Sequence, residues 1–287
     1  MIAVVGAGSI GVGWTIVFAR AGREVAVYDP DPARLEAAVA EFGEHATGRV
    51  TWHAELAAAL RGAVHVQECA PEHLALKREL FARLDEMVGP GVPLASSSSA
   101  LTASKIAGEL PGRARCLIAH PGNPPYLLPI VEVVPAPFTD PAVRDRVIAL
   151  MNDVGMSPVH VRREIEGFVF NRLQGALLRE AYCLVRDGVA SVEDVDRVVR
   201  DGPGRRWAIM GPFETADLNT RGGIAVHARR LGPAYARMGA ERGQDDPWTD
   251  ELVERVTRER RALLPLEKWG ERVAWRDRAL AALKEAL

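Results

Sequence analysis

The stretch AHPGNPPYLLPIVEVV, residues 119–134, sets His120 and Glu132 twelve positions apart across a loop that contains four prolines. An imidazole titrates near neutrality and can take up a proton, and a facing carboxylate fixes its tautomer and stabilises the imidazolium. If the chain reverses through PGNPPYLLP, Glu132 on the returning strand can face His120. A single histidine serves structure more often than catalysis, and a strand glutamate can be no more than an ion-pair partner. The rest of the chain has to decide.

A second constellation lies at the amino terminus. Gly6-Ala7-Gly8-Ser9-Ile10-Gly11 is a GxGxxG that follows an apolar run and opens a helical one, and Asp29 ends the next apolar run eighteen residues after Gly11. Such glycines let the backbone approach a pyrophosphate, the helix amino end favours its charge, and an acid at this distance binds the adenosine ribose. A 2′-phosphate would be repelled by Asp29. The expected cofactor is therefore NAD rather than NADP, with Arg34 the one neighbour that argues the other way. With a nicotinamide cofactor, His120 becomes a candidate base for an alcohol whose carbon gives up hydride.

These residues need elements to hold them. Short apolar runs at 2–6, 24–29, 63–70, 92–98, 115–120 and 130–134 alternate with helical patterns such as LALKRELFARLDEMV (74–88). That alternation predicts a largely parallel, doubly wound sheet of Rossmann type, covered on both faces. After Val161 strand signals stop. From Gly167 the chain reads as all-helical, with Phe170, Leu173, Leu177, Ala181 and Leu184 on one stripe and Gly188 as a carboxyl-terminal cap. Further helices are expected over 191–201, 224–241, 249–262 and 271–286. A boundary near residue 165 gives an α/β cofactor domain, 1–165, and an all-helical domain, 166–287.

Bulk properties narrow the class. The 287 residues are 48% hydrophobic, with a formal charge of -2, so neither nucleic acid nor an anionic membrane is an expected partner. No run reaches the roughly 20 apolar residues of a membrane span. Cys69, Cys116 and Cys183 are widely spaced and suggest neither disulfides nor a metal site, which fits a reducing cytoplasm. No metal is expected.

Taken together, GAGSIG, VQECAPEHLALK, SSSSAL, AHPGNPP, VEVVP, GFVFNRLQ and MGPFE resemble the 3-hydroxyacyl-CoA dehydrogenase superfamily, most closely its lambda-crystallin or L-gulonate 3-dehydrogenase branch. The resemblance runs over nearly the whole chain. It implies a His–Glu dyad, matched by His120 and Glu132, assisted by a serine and an asparagine, matched by Ser99 and Asn171. Ser98 competes with Ser99, which keeps the family's spacing to the histidine. The resemblance also implies cofactor contacts from Ser9, Ile10, Asp29, Glu72 and Lys77, and places Asn123 beside the dyad. Without it, Lys77 reads as an exposed helix lysine and Asn123 as a turn residue before Pro124. A homodimer built on the helical half is implied as well.

Departures from the pattern bear on the substrate. Only 35 positions lead from Asp29 to Val64, where acyl-CoA members carry a long helical hairpin, so much of a CoA platform is missing. GPGRRWAIMGPFE resembles the gulonate branch, and Arg206 is the candidate for a substrate carboxylate, which a guanidinium can bind through two parallel hydrogen bonds. Its neighbour Arg205 leaves a solvated arginine pair as the alternative. A rival dehydrogenase class uses a lysine on the first interdomain helix; here no lysine occurs between Lys105 and Lys268. The expected activity is oxidation of a secondary hydroxyl on a small polar hydroxy acid such as L-gulonate, with 3-hydroxyacyl-CoA or carnitine-type substrates as the alternative. A non-enzymatic, crystallin-like NAD-binding protein is the reading from another class.

Overall fold

The computed structural model describes residues 1–43, 48–243 and 249–286. It divides into two compact units, Met1–Leu178 and Arg179–Leu287. The first unit alternates strand and helix: β1 (Ile2–Val5), α1 (Ser9–Arg20), β2 (Val25–Tyr28), α2 (Pro32–Gly43), β3 (Val50–His53), α3 (Leu56–Leu60) and β4 (His65–Glu68). It continues through α4 (Leu74–Met87), β5 (Leu94–Ser96), α5 (Ala103–Ala107), β6 (Cys116–Pro121), β7 (Ile130–Pro135), α6 (Pro141–Asp153) and β8 (Ser157–His160); α7 (Phe170–Arg186) begins in the first unit and ends in the second.

The strands form one sheet in the order β3-β2-β1-β4-β5-β6-β7-β8. Neighbours are parallel except for β6 and β7, which run antiparallel. The strand order reverses between β1 and β4, and in open α/β sheets the carboxyl ends at such a point are where ligands bind. Because successive strand residues point to opposite faces, the apolar runs feed two cores. Val4, Val27, Leu117 and Val133 pack with Val12, Phe18 and Met151 from α1 and α6. Val5, Val66, Ile118 and Val134 pack on the other face with Leu60, Phe81 and Ile106 from α3, α4 and α5.

Two strands, β3 and β8, go beyond the sequence reading. Both lie at the sheet's edges, where the residues are exposed or half-buried and no continuous apolar run is required. In the helical stretch, α7 buries none of its residues, and Leu173 and Tyr182 are 61% and 75% exposed. Of the expected stripe, Leu173 and Leu177 are exposed and Phe170, Ala181 and Leu184 are half-buried.

The second unit contains α8 (Val192–Asp201), α9 (Pro203–Trp207), α10 (Pro212–Leu218), α11 (Gly223–Glu241), α12 (Asp250–Leu263) and α13 (Trp269–Ala286). Ser191 and Thr249 cap α8 and α12 by accepting from Asp194 and Leu252. Glu214 on α10 accepts from Arg260 at 3.0 Å and from Arg272 at 2.8 Å, while the buried Asp217 accepts from the backbone of Ile224 and from Arg261.

Candidate active site

The antiparallel register places His120 directly opposite Glu132. Nδ1 of the imidazole lies 2.8 Å from Oε2 of the carboxylate. The other carboxylate oxygen accepts the backbone N–H groups of Val169 at 2.7 Å and Phe170 at 2.9 Å, at the start of α7. Two consecutive left-handed residues, Gly167 (φ 74°) and Phe168 (φ 48°), aim those donors. A left-handed phenylalanine is costly, and here its ring is fully buried with its centroid 5.6 Å from the imidazole's. Burial opposes ionisation of Glu132, but the hydrogen bonds from His120, Phe170 and Val169 outweigh it and hold the carboxyl below the ordinary range.

A cleft of about 860 Å³ opens along the carboxyl ends of the strands. Gly6, Gly8, Ser9, Ile10, Asp29, Glu72, Lys77, Ser99, His120 and Asn123 all line it. Gly11 lies beneath the turn, Glu132 behind His120, and Asn171 donates its amide to the Ser99 carbonyl at 3.3 Å. Arg206 belongs to the second unit, where it is exposed on α9 and its neighbour Arg205 lies 3.5 Å from Asp201.

The cleft is shaped for a dinucleotide. A Cβ on Gly6 (φ 110°) would lie 2.8 Å from the Cys69 carbonyl group, and one on Gly11 would lie 1.8 Å from the Gly6 oxygen, so no larger residue fits either position. Gly8 precedes α1 without a side-chain cap, which leaves the helix amino end for an anion. Asp29 accepts from Ala7 N at 2.9 Å and Asp31 N at 3.0 Å, one on each oxygen, and retains lone pairs for a ribose diol. From β2 to β6 is four strand spacings, about 19 Å at roughly 4.8 Å each, so Asp29 and His120 stand far apart along the cleft, with room for an extended ligand between them.

Glu72 and Lys77 organise the middle of this cleft. Glu72 accepts from the Ser98 hydroxyl and from the backbone of Ala100 at 2.9 Å and Leu101 at 3.1 Å, fixing the serine loop. Against the effect of burial, these bonds hold its carboxyl below the usual range. Lys77 is 1% exposed, not a surface lysine, and its ammonium binds both Glu68 oxygens, at 2.7 and 3.0 Å, and the Ala70 carbonyl at 2.9 Å. Burial pushes the Glu68 carboxyl up against the pull of Lys77, Ser96 and the Ala70 N–H. Sequence reasoning passed over Glu68, although a charged residue inside the apolar run AVHVQECA was a signal. Phe168 carried none.

This sheet, glycine turn and acid define an NAD-binding oxidoreductase of the Rossmann class. The chain belongs to the 3-hydroxyacyl-CoA dehydrogenase family: residues 1–165 match its NAD binding domain and residues 167–262 its C-terminal domain. It is 41% identical to the lambda-crystallin homolog of Bos taurus over 304 residues, covering 99% of this chain and 94% of the relative. It is 38% identical to the L-carnitine dehydrogenase of Streptomyces griseus over 262 residues, covering 86% and 76%. Among solved structures, 5-formyl-3-hydroxy-2-methylpyridine 4-carboxylic acid 5-dehydrogenase, an NAD+-dependent dismutase, matches with a TM-score of 0.77 at 26% identity and 97% coverage of both chains.

Proposed function

We propose that the protein oxidises a secondary alcohol, the 3-hydroxyl of a small polar hydroxy acid such as L-gulonate. The observation that carries this reading is the His120–Glu132 pair at one end of the NAD cleft. With Nδ1 engaged by the carboxylate, Nε2 is the atom that takes the hydroxyl proton, and Glu132 stabilises the imidazolium that results. Bound NAD supplies the hydride acceptor. Ser99 and Asn171 hydrogen-bond the substrate oxygen as charge develops on it, and Asn171 also steadies the serine loop through the Ser99 carbonyl.

On the cofactor side, Asp29 holds the adenosine ribose, the turn from Gly6 through Gly8, Ser9 and Ile10 to Gly11 holds the pyrophosphate, Glu72 and Lys77 contact the cofactor in the middle of the cleft, and Asn123 lies at the nicotinamide end. Arg206 is the proposed partner of the substrate carboxylate. We take residues 1–165 as the cofactor domain and 166–287 as the substrate and dimerisation domain. The exposed apolar residues of α7, among them Leu173, Leu177 and Tyr182, support a homodimer. Three cysteines without disulfides suit the cytoplasm.

A panel assay following NADH tests the substrate, with L-gulonate, 3-hydroxybutyrate, carnitine and 3-hydroxybutyryl-CoA supplied in turn. Free hydroxy acids should give the highest kcat/KM. A strong preference for the CoA thioester would overturn the small-acid reading, and absence of turnover with every member would favour the crystallin-like binding protein.

A further inference from the structure

Ser97 follows β5, lines the cleft, and falls between the glycine turn and His120 in the order of the sheet. Its hydroxyl oxygen lies 2.8 Å from Gln67 Nε2, 3.1 Å from Trp14 Nε1 and 3.3 Å from Cys69 Sγ. An indole N–H can only donate. The Gln67 amide is fixed in orientation too, because Nε2 also reaches the Ala119 carbonyl, which only accepts, at 3.3 Å, while Oε1 faces His65 Nε2 at 3.2 Å. Burial lowers the pKa of His65 to about 4, so its ring is neutral at neutral pH and Nε2 can carry the donated hydrogen. Two N–H donors thus occupy both lone pairs of Ser97 Oγ. What remains to it is its own hydrogen, as a donor.

The partners that impose this are rigid: Trp14 and Gln67 are both fully buried. Among the described residues the Ser97 hydrogen meets only Cys69 Sγ, a weak acceptor that leans in turn on the Gln67 carbonyl at 3.8 Å. Burial pushes the Cys69 thiol up to about 12, so the sulfur stays neutral and makes no strong claim on that hydrogen. The hydroxyl is a donor in search of an oxygen.

The position of Ser97 identifies that oxygen. If Asp29 after β2 holds the adenosine end, the turn after β1 the pyrophosphate, and His120 on β6 faces the reacting carbon, as proposed above, a bound nicotinamide would fall toward the ends of β4 and β5, beside Ser97. We propose that Ser97 orients the nicotinamide by donating its hydroxyl hydrogen to the carboxamide oxygen, which displaces Cys69 as acceptor. Rotation of the ring would break this bond, so the bond sets which face of the ring meets the substrate. The inference rests on the cleft being the NAD site.

The test uses the full chain and equilibrium binding of NADH, of its thionicotinamide analogue, which carries C=S in place of C=O, and of the reduced 3-acetylpyridine analogue, which keeps the carbonyl. Wild type should bind NADH about five- to tenfold more tightly than the thio analogue, the size of one neutral hydrogen bond. Ser97→Ala should lose that factor for NADH and for the acetylpyridine analogue alike, and should bind NADH and the thio analogue equally. Because alanine leaves Trp14 and Gln67 without an acceptor and can impair folding, Ser97→Cys provides a second route: its weak donor should also bring the ratio close to one. Ser97→Thr should restore it. Equal weakening of all three ligands in the variants, or an unchanged ratio, would overturn the proposal while leaving the cofactor cleft standing. A wild-type protein that binds no NADH would overturn both.

Discussion

Glu132 faces His120 across two antiparallel strands with 2.8 Å between the nearest nitrogen and oxygen, and its second oxygen closes the first turn of α7. One carboxylate thus fixes both the imidazole and the helix that follows Gly167. His120→Ala should lower kcat by about 10²- to 10⁴-fold, the usual contribution of a positioned base, while NADH affinity stays close to that of wild type. Glu132→Gln should lower kcat as well, because the imidazolium formed on proton uptake loses its counter-charge. Near-normal turnover by His120→Ala on the best substrate would remove the dyad from the mechanism.

Acid stability follows from the same carboxylate. The folded-state pKa of Glu132 lies below its ordinary value. A group shifted in that direction stabilises the fold fully above its unfolded pKa, and the contribution is lost as pH falls through the folded pKa. Glu132→Gln should therefore lose less stability than wild type as pH falls below the ordinary carboxylate range. Urea midpoints at several pH values compare the two slopes, and identical slopes would mean that the three hydrogen bonds do not favour the ionised form.

The Lys77–Glu68 pair is buried at the wall of the cleft, not exposed to solvent. Removing the ammonium leaves Glu68 buried without its partner, so Lys77→Met should cost about 3–5 kcal/mol in urea unfolding. Adding Glu68→Gln should recover much of that loss, since no charge then stays buried. A single variant as stable as wild type would show that Glu68 is protonated and indifferent to Lys77.

The proposed role of Asp29 makes cofactor choice a test of it. Its oxygens are anchored by Ala7 and Asp31, so the carboxylate cannot swing away from a 2′-phosphate. Initial rates should favour NAD over NADP by at least about tenfold, roughly 1.4 kcal/mol of charge repulsion. In Asp29→Ser the gap should narrow, with Arg34 lining the same end of the cleft. Equal efficiency of the two cofactors in wild type would mean that Arg34 overrides the aspartate.

Some of this architecture could be read from the chain alone, because the physics that fixes it is local. Continuous apolar runs mark strands buried on both faces, and glycine spacing followed by Asp29 marks the cofactor turn. Edge strands β3 and β8 need no such run, and β8 even accommodates Pro158. His120 and Glu132 were legible as a pair because an antiparallel hairpin sets residues opposite each other. The two N–H donors at the start of α7 were not, since they depend on Gly167 and Phe168 both turning left-handed. The Trp14–Gln67–Ser97 contacts join residues 83 and 30 positions apart, and no spacing rule reaches that far.

Substrate choice is tested most directly at Arg206. Arg206 is exposed on α9, whereas Arg205 beside it lies 3.5 Å from Asp201. A guanidinium holding a carboxylate through two parallel hydrogen bonds should discriminate acids from neutral analogues. Arg206→Ala should then lower kcat/KM for hydroxy acids by about 10- to 100-fold, on the order of 1.5–3 kcal/mol for a charged hydrogen-bonded contact, and change little for the corresponding neutral alcohols. The loss should fall mainly in KM if the contact is equally strong in ground and transition states. Arg206→Lys should recover only part of the loss, because an ammonium cannot reproduce the planar pair of bonds. Equal effects on acids and neutral alcohols would assign Arg206 to the fold of the helical unit and leave the carboxylate partner to another residue.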